Sequence, residues 1–336
     1  MIRGHSTESP HNLTTPETDA VLFAGGSVTY FLVVLHIALS VFIVFGNTMT
    51  ILAIRGTHQL QTEANLYVLH LAIADTLVGL GTFLGSFLYM DFSRKILDRS
   101  RYFCLGMVVL VCVSVCQSLG TLILLAIDRM VHVAYPFRYR RYFTERAIKR
   151  VLGVSWVLAL AAGTVPFYAN SFSPSIGCSV TKLMHTSFEH VFIPVAVLVA
   201  SLITKTCYVT IACIACRHRR KRKPDVQQQN TPKGPQLTAG EDNRDLRRHW
   251  AKASDSKTKS VGLFLTVNSI FSLCWAPFVM VSVAVNFVDV PEVAARVAVL
   301  VAMSNSSMNF VIYAFRNKQF ARAYRNLLNA CFCRRG

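Results

Sequence analysis

Residues 64–90, ANLYVLHLAIADTLVGLGTFLGSFLYM, decide the architecture. The run is long enough to cross the hydrocarbon core of a bilayer as one helix, and no Lys, Arg or Glu interrupts it. A single acid stands mid-run, Asp75 in Leu69-His70-Leu71-Ala72-Ile73-Ala74-Asp75, too deep to snorkel to an interface. A charge at that depth is costly unless it is paired or hydrated. Asp75 therefore needs polar partners on facing helices, such as Asn47, Ser118, Asn305, Ser306 and Asn309, all of which lie in other apolar runs.

Outward from that stretch, runs near 27–54, 103–127, 148–168, 187–214, 259–285 and 293–314 are also long enough to span as helices. The pattern predicts an all-α membrane protein, a seven-transmembrane helix bundle. Composition agrees, since 53% of the 336 residues are hydrophobic and only 15% charged, too apolar for a soluble surface. Seven spans and their loops consume the whole length, which leaves no room for a second soluble domain.

The formal charge of +18 could suggest nucleic acid, but the placement of Lys and Arg argues otherwise. Arg3, Arg94, Lys95, Arg99, Arg101, Lys182 and Arg296 fall on one side of the spans, Lys205 lies within one, and all the others fall opposite. That asymmetry is the positive-inside signature, so the basic side faces cytoplasm, anionic lipid and partner proteins, with no nucleic acid implied. Residues 1–26 lack the basic start, short apolar core and cleavage site of a signal peptide, so the first span acts as its own insertion signal. The amino terminus is then extracellular, and an odd number of spans places the carboxyl terminus in the cytoplasm of a multi-pass plasma-membrane protein. Asn12-Leu13-Thr14 is a glycosylation sequon on the outer segment, whereas Asn305-Ser306-Ser307 should be buried and unused.

Three regions follow: an outer segment 1–26, a transmembrane domain 27–314, and a cytoplasmic piece 315–336. Within the second, residues 217–257 carry the cluster Arg217, Arg219, Arg220, Lys221, Arg222 and Lys223 and no apolar period, and read as a flexible cytoplasmic loop. In the third, Phe315, Phe320, Tyr324, Leu327 and Leu328 recur at helical spacing among basic residues, as in a short amphipathic helix at the membrane surface.

Ten cysteines sort by location. Cys104 opens the third span and Cys178 precedes the fifth, both on the oxidising face, which permits one disulfide. Cys331 and Cys333 follow the amphipathic helix and are palmitoylation candidates. The remainder lie in or beside spans and read as small apolar packers. Asp128, followed by Arg129 at the cytoplasmic end of the third span, has a local ion pair to offset its burial.

From Val28 to Leu328 the chain resembles the rhodopsin-like (class A) G-protein-coupled receptor family. The resemblance rests on Gly46-Asn47, Leu71 with Asp75, Cys104 and Asp128-Arg129, Trp156, Pro194, Cys274-Trp275-Ala276-Pro277, and Asn309 with Tyr313, in that order and spacing. It implies a receptor, not an enzyme, that passes an extracellular ligand signal to a heterotrimeric G protein through a switch at Asp128, Arg129 and Tyr313. It also implies that Asp75, Ser118, Asn305, Ser306 and Asn309 form a pocket for sodium, a hard cation suited to oxygen donors and here an allosteric modulator, with no other cofactor. Pro277 removes a backbone donor and lets the sixth span kink as a lever. Trp275 would sense the ligand above that kink, with Phe271, Leu119 and Pro194 as the relay beneath.

The sequence departs from the family pattern at several places. Phe310 stands where the family's Asn-Pro-x-x-Tyr motif has proline, and Met130 replaces the common Tyr after Asp-Arg. Leu202, eight residues after Pro194, stands where many members carry a tyrosine that meets the one at Tyr313. No acidic residue begins the sixth span near Lys257 and Lys259, so Arg129 has Asp128 as its evident partner. Met303 occupies the place of the retinal-binding lysine, which disfavours an opsin.

The family's amine receptors have an Asp where Val111 stands. Val111, Val115, His190, Phe278, Ser282, Val299 and Met303 are the ligand-pocket residues the resemblance implies, a largely apolar set with His190 and Ser282 as orienting polar groups. Glu189 adjoins His190, but neighbours on an α-helix point about 100° apart, so it should face elsewhere. The expected ligand is small, uncharged and weakly polar or lipid-like, with a nucleoside or peptide as runner-up. Thr231, Thr238, Ser254, Ser256 and Thr258 are the hydroxyls open to regulatory phosphorylation and arrestin, since none follows Tyr313. The alternative from another class is a membrane transporter, yet paired broken helices and internal pseudo-symmetry are not visible. A membrane enzyme would need clustered catalytic side chains, which the spans do not show.

Overall fold

The structure is a computed structural model that describes residues 16–87, 90, 100–172, 178, 184–228, 266–267 and 269–333. Asn12, Arg94, Lys95, Arg99, Lys182, Lys257, Lys259 and the third-loop hydroxyls lie outside the described residues, as do the side chains of 218–228 and of Cys333.

Seven helices answer to the seven apolar runs. They are Pro16–Gly56, Glu63–Ser86, Arg101–Ala134, Glu145–Gly163, Ile193–Gln228, Ser269–Ala284 and Glu292–Arg316, called here spans one to seven. Six are long and apolar enough to cross a membrane, and Ser269–Ala284 is a shorter apolar helix. Among the described residues no strand forms, only an isolated bridge between Asn170 and Met184.

Polar residues punctuate the runs where the backbone needs them. Thr62, Ser100 and Thr144 each accept a hydrogen bond from the amide three residues on, which satisfies an otherwise orphaned donor at the start of spans two, three and four. Glu63 and Glu145 follow in the first turns, where a negative charge suits the helix dipole.

The two largest departures from the expected boundaries are in spans one and five. Span one begins at Pro16, ahead of residue 27, because proline is pre-organised for a first helical turn. Span five continues to Gln228, through the start of the expected loop 217–257, because Arg and Lys are good helix formers and need no apolar face outside the membrane.

Span three is the hub, packed against spans two, four and five, while span one lies against two and seven. Val154, Val157 and Leu158 of span four point outward and need hydrocarbon as their solvent. The last helix, Lys318–Cys333, starts where the Asn317 carboxamide oxygen accepts from the amides of Gln319 and Phe320. Its Phe320 and Tyr324 are buried against Met49, Ala53, Ile54 and Tyr313, whereas its Leu328, and Phe315 at the end of span seven, remain exposed. The Tyr324 phenol is held above its ordinary range by burial, and its hydroxyl lies 2.9 Å from that of Thr50. Since the Thr50 hydroxyl already donates to the Gly46 carbonyl, Tyr324 is the donor in that pair.

Candidate functional site: a buried polar column between two ends of the bundle

The column centres on Asp75, which is completely buried. Ser118 of span three and Ser306 of span seven each donate to its Oδ1 at 2.9 Å, and Asn309 donates to Oδ2 at 2.9 Å. Asn47 braces the arrangement by donating to the Ser306 carbonyl at 2.9 Å. Asn305 does not bond to Asp75; it lines a water-sized cavity of about 10 Å³ beside it, with Ser118, Ser306, Trp275 and Met303. Each serine hydroxyl that donates to the carboxylate keeps its lone pairs free, so a carboxylate with hydroxyl and amide oxygens around a small void is a donor set that fits a hard monovalent cation. Among the described residues no cluster of His, Cys, Asp and Glu could hold a transition metal.

Above that void, Trp275 stands edge-on to Phe278 at 5.7 Å and tilted against Phe271 at 6.3 Å. Leu119 and Phe271 share one core cluster with Trp275, and Pro194 is buried at the start of span five. Trp156 ties span four to span two by donating to His70 Nδ1 at 3.0 Å.

Towards the outer end, spans one, two, three and seven enclose a cavity of about 110 Å³. Val111, Val299 and Met303 of the expected pocket line it, joined by His36, Thr82 and Cys112, which sequence reasoning did not single out. Val115 lies deeper, at the small void. His190, Phe278 and Ser282 are not among the residues around this cavity. His36 is buried and donates from Nδ1 to the Leu32 carbonyl at 2.8 Å. Cys104 and Cys178 form a disulfide with Cα atoms 5.8 Å apart, pinning the outer end of span three to the following loop.

At the inner end Asp128 is fully buried, and its Oδ2 lies 3.8 Å from Nε of Arg129. Its other oxygen accepts from the Tyr139 hydroxyl at 2.9 Å. Tyr139 sits on a short helix, Pro136–Tyr142, with its ring edge-on to His132 at 4.5 Å and stacked on Phe143 at 4.7 Å. Burial first, then the Asp128 charge, raises the Tyr139 phenol above its ordinary range, so it stays a donor at neutral pH. No sequence spacing pointed to Tyr139, because its role depends on how the loop folds back.

The departures acquire a structural reading. Leu202 is 67% exposed and faces lipid, while Tyr208 is buried within electrostatic reach of Arg129 and Tyr313. The buried series Val197, Ala200, Thr204, Tyr208 and Ile211 marks the inner face of span five. That periodicity was available in the sequence and identifies Tyr208 as the inward tyrosine. Phe310 packs edge-on to Phe42 at 6.2 Å and lies 5.0 Å from Tyr324. A Cβ on Gly46 would come within 2.7 Å of the Phe310 ring, so glycine is what lets spans one and seven close there. Tyr313 is buried and stacks on Phe320 at 5.2 Å.

The family model described as 7 transmembrane receptor (rhodopsin family) matches residues 46–313. Among curated proteins, the chain is 26% identical over 324 residues to melatonin receptor type 1C of Xenopus laevis, covering 93% of this chain and 70% of that one. It is 26% identical over 326 residues to human adenosine receptor A2b, covering 88% and 89%. Adenosine receptor A3 of Ovis aries is 26% identical over 320 residues, covering 91% of each.

Proposed function

The chain belongs to the 7 transmembrane receptor (rhodopsin) family, and from that premise we propose that it is switched by a small ligand entering from the extracellular side. It is a G-protein-coupled receptor, not an enzyme, and the transporter alternative is not favoured. The observation that carries the proposal is Met303, which lines both the outer cavity and the void beside Asp75. A ligand in the outer cavity touches the side chain that covers the polar column.

In the proposed mechanism, a ligand that binds the open state better shifts an existing equilibrium toward it. Strain at Met303 and Trp275 moves the inner half of span six about Pro277. Asp75, Ser118, Ser306 and Asn309, with Asn305 at the void, would hold a sodium ion that supplies a compensating charge and favours the resting packing. Opening releases Arg129 from Asp128 and Tyr139 and presents it, beside Tyr313, to a heterotrimeric G protein.

The ligand in this reading is small, uncharged and weakly polar or lipid-like, matching a cavity lined chiefly by apolar side chains. Relatives named for adenosine and melatonin support small size. The amino terminus, with glycosylation at Asn12, is outside. Cys331, which is exposed, and Cys333 carry palmitate inside, and the third-loop hydroxyls, once phosphorylated, recruit arrestin. The test is a screen of adenosine, melatonin, lipids and peptides against second-messenger readouts for every G-protein class in cells expressing the chain. A response that Met303→Trp abolishes without loss of surface expression supports the site; a response untouched by substitutions at Met303, Val111 and Val299 removes it.

A further inference from the structure

Span two presents bare backbone to the outer cavity. Gly81 and Gly85 both line it, one turn apart on the same face of the helix. A Cβ at Gly81 would come within 2.5 Å of a Val111 methyl, so that glycine lets span three approach. A Cβ at Gly85 would meet nothing within 4 Å, so that glycine keeps space open, and together the two make a wall without side chains.

The rest of the lining is rich in sulfur. Met107 and Cys112 of span three, Met184 of the outer loop and Met303 of span seven all border the cavity. Four of its eleven lining residues thus carry sulfur, although the chain has only ten Cys and nine Met in 336 residues, so the enrichment is local. Methionine commonly serves as a flexible filler of irregular gaps. Here the gap stays open at about 110 Å³, so filling is not what these side chains accomplish. Thioethers also make favourable contacts with the edges of aromatic rings, yet among the described residues no Phe, Tyr or Trp lines the cavity. Two of the polar groups there are turned into their own helices: Nδ1 of His36 donates to the Leu32 carbonyl at 2.8 Å, and the Thr82 hydroxyl donates to the Val78 carbonyl at 2.8 Å.

We propose that this cavity takes an aromatic ring of the ligand, laid against Gly81 and Gly85 with its edges on the methionine sulfurs. A dry protein cavity of about 150 Å³ admits benzene, so space of this order suits one flat ring. The inference rests on the reading of the outer cavity as the ligand site. It narrows the ligand from any weakly polar or lipid-like molecule to an aromatic one.

The test compares two neutral probes of similar size, only one of which has π electrons. Full-length protein in nanodiscs is titrated with fluorobenzene and, separately, with fluorocyclohexane, and binding is read by fluorine NMR against empty discs to correct for partition into lipid. Fluorobenzene should bind saturably and at least about threefold more tightly than fluorocyclohexane. Each sulfur contact is worth roughly two- to tenfold in affinity. Met107→Leu and Met303→Leu, which nearly conserve volume, should therefore each weaken fluorobenzene by that factor and leave fluorocyclohexane unchanged. Gly85→Leu fills the cavity and should abolish fluorobenzene binding, and Gly85→Ala, with a single methyl in the same space, should weaken it. Gly153→Leu, at a span-four glycine outside the cavity whose Cβ also meets nothing within 4 Å, should change neither probe. Equal affinity for the two rings in the parent, or methionine substitutions that weaken both probes alike, overturns the proposal. So does fluorobenzene binding that survives Gly85→Leu or never saturates. No G protein enters the measurement, so its failure removes the aromatic assignment and leaves the signalling test at Met303, Val111 and Val299 to decide the ligand site.

Discussion

Asp75 and Glu189 are both carboxylates within apolar spans, yet three donors from spans three and seven converge on Asp75 while none among the described residues meets Glu189. The first is an internal joint, whose partners belong to the chain and whose loss the fold must feel. The second has no protein donor among the described residues, and its oxygens are not sealed from solvent as those of Asp75 are. Self-satisfied polar groups of this kind hold the helices in register.

The largest effect expected from that difference is on stability. Asp75→Ala leaves Ser118, Ser306 and Asn309 without their acceptor and should cost about 3 kcal/mol. Glu189→Gln removes a charge that no partner offsets and should change stability by less than about 1 kcal/mol. Thermal unfolding of both variants in nanodiscs decides the matter, and equal destabilisation would erase the contrast.

A second, smaller effect sharpens the account of how spans one and seven close. Gly46→Ala should cost about 2 kcal/mol, because the new methyl meets the Phe310 ring in a packed core. Gly153→Ala, where a Cβ meets nothing within 4 Å, should be neutral or stabilising by about 0.5–1 kcal/mol through helix propensity. Phe310→Ala in the Gly46→Ala background should recover part of the loss; no recovery means the two side chains do not meet.

The smallest effect concerns the inner end. Tyr139→Phe deletes the hydrogen bond to Asp128, worth about 1 kcal/mol, and should raise ligand-independent signalling about fivefold. The folded-state phenol is shifted upward, so its contribution is complete below pH about 10 and fades only as pH rises through the shifted value. The variant's excess activity should accordingly be flat between about pH 6 and 8, and a titrating difference in that window would exclude Tyr139 as the donor.

Much of this was legible in the sequence. Seven apolar runs became seven helices because length and hydropathy leave few alternatives in a bilayer. The partners of Asp75 could be named because a buried acid must find oxygen and nitrogen donors, and only a few polar residues lay in the spans. Tyr139 escaped because a loop, not a helix repeat, brings it to Asp128. Tyr208 was readable from its spacing with Val197, Ala200, Thr204 and Ile211.

In the proposed mechanism the polar column couples the outer cavity to a G-protein-facing inner end. Its most direct test is GTPγS binding by purified heterotrimeric G proteins of each class, incubated with the parent chain, Asp75→Asn or Arg129→Ala in nanodiscs, at equal ionic strength in sodium or potassium. The expected result is exchange above empty discs for the parent in potassium, suppression by sodium severalfold, no sodium-specific suppression in Asp75→Asn, and no exchange with Arg129→Ala. Exchange no greater than that of empty discs for every G-protein class in potassium, or sodium suppression that persists in Asp75→Asn, would contradict it.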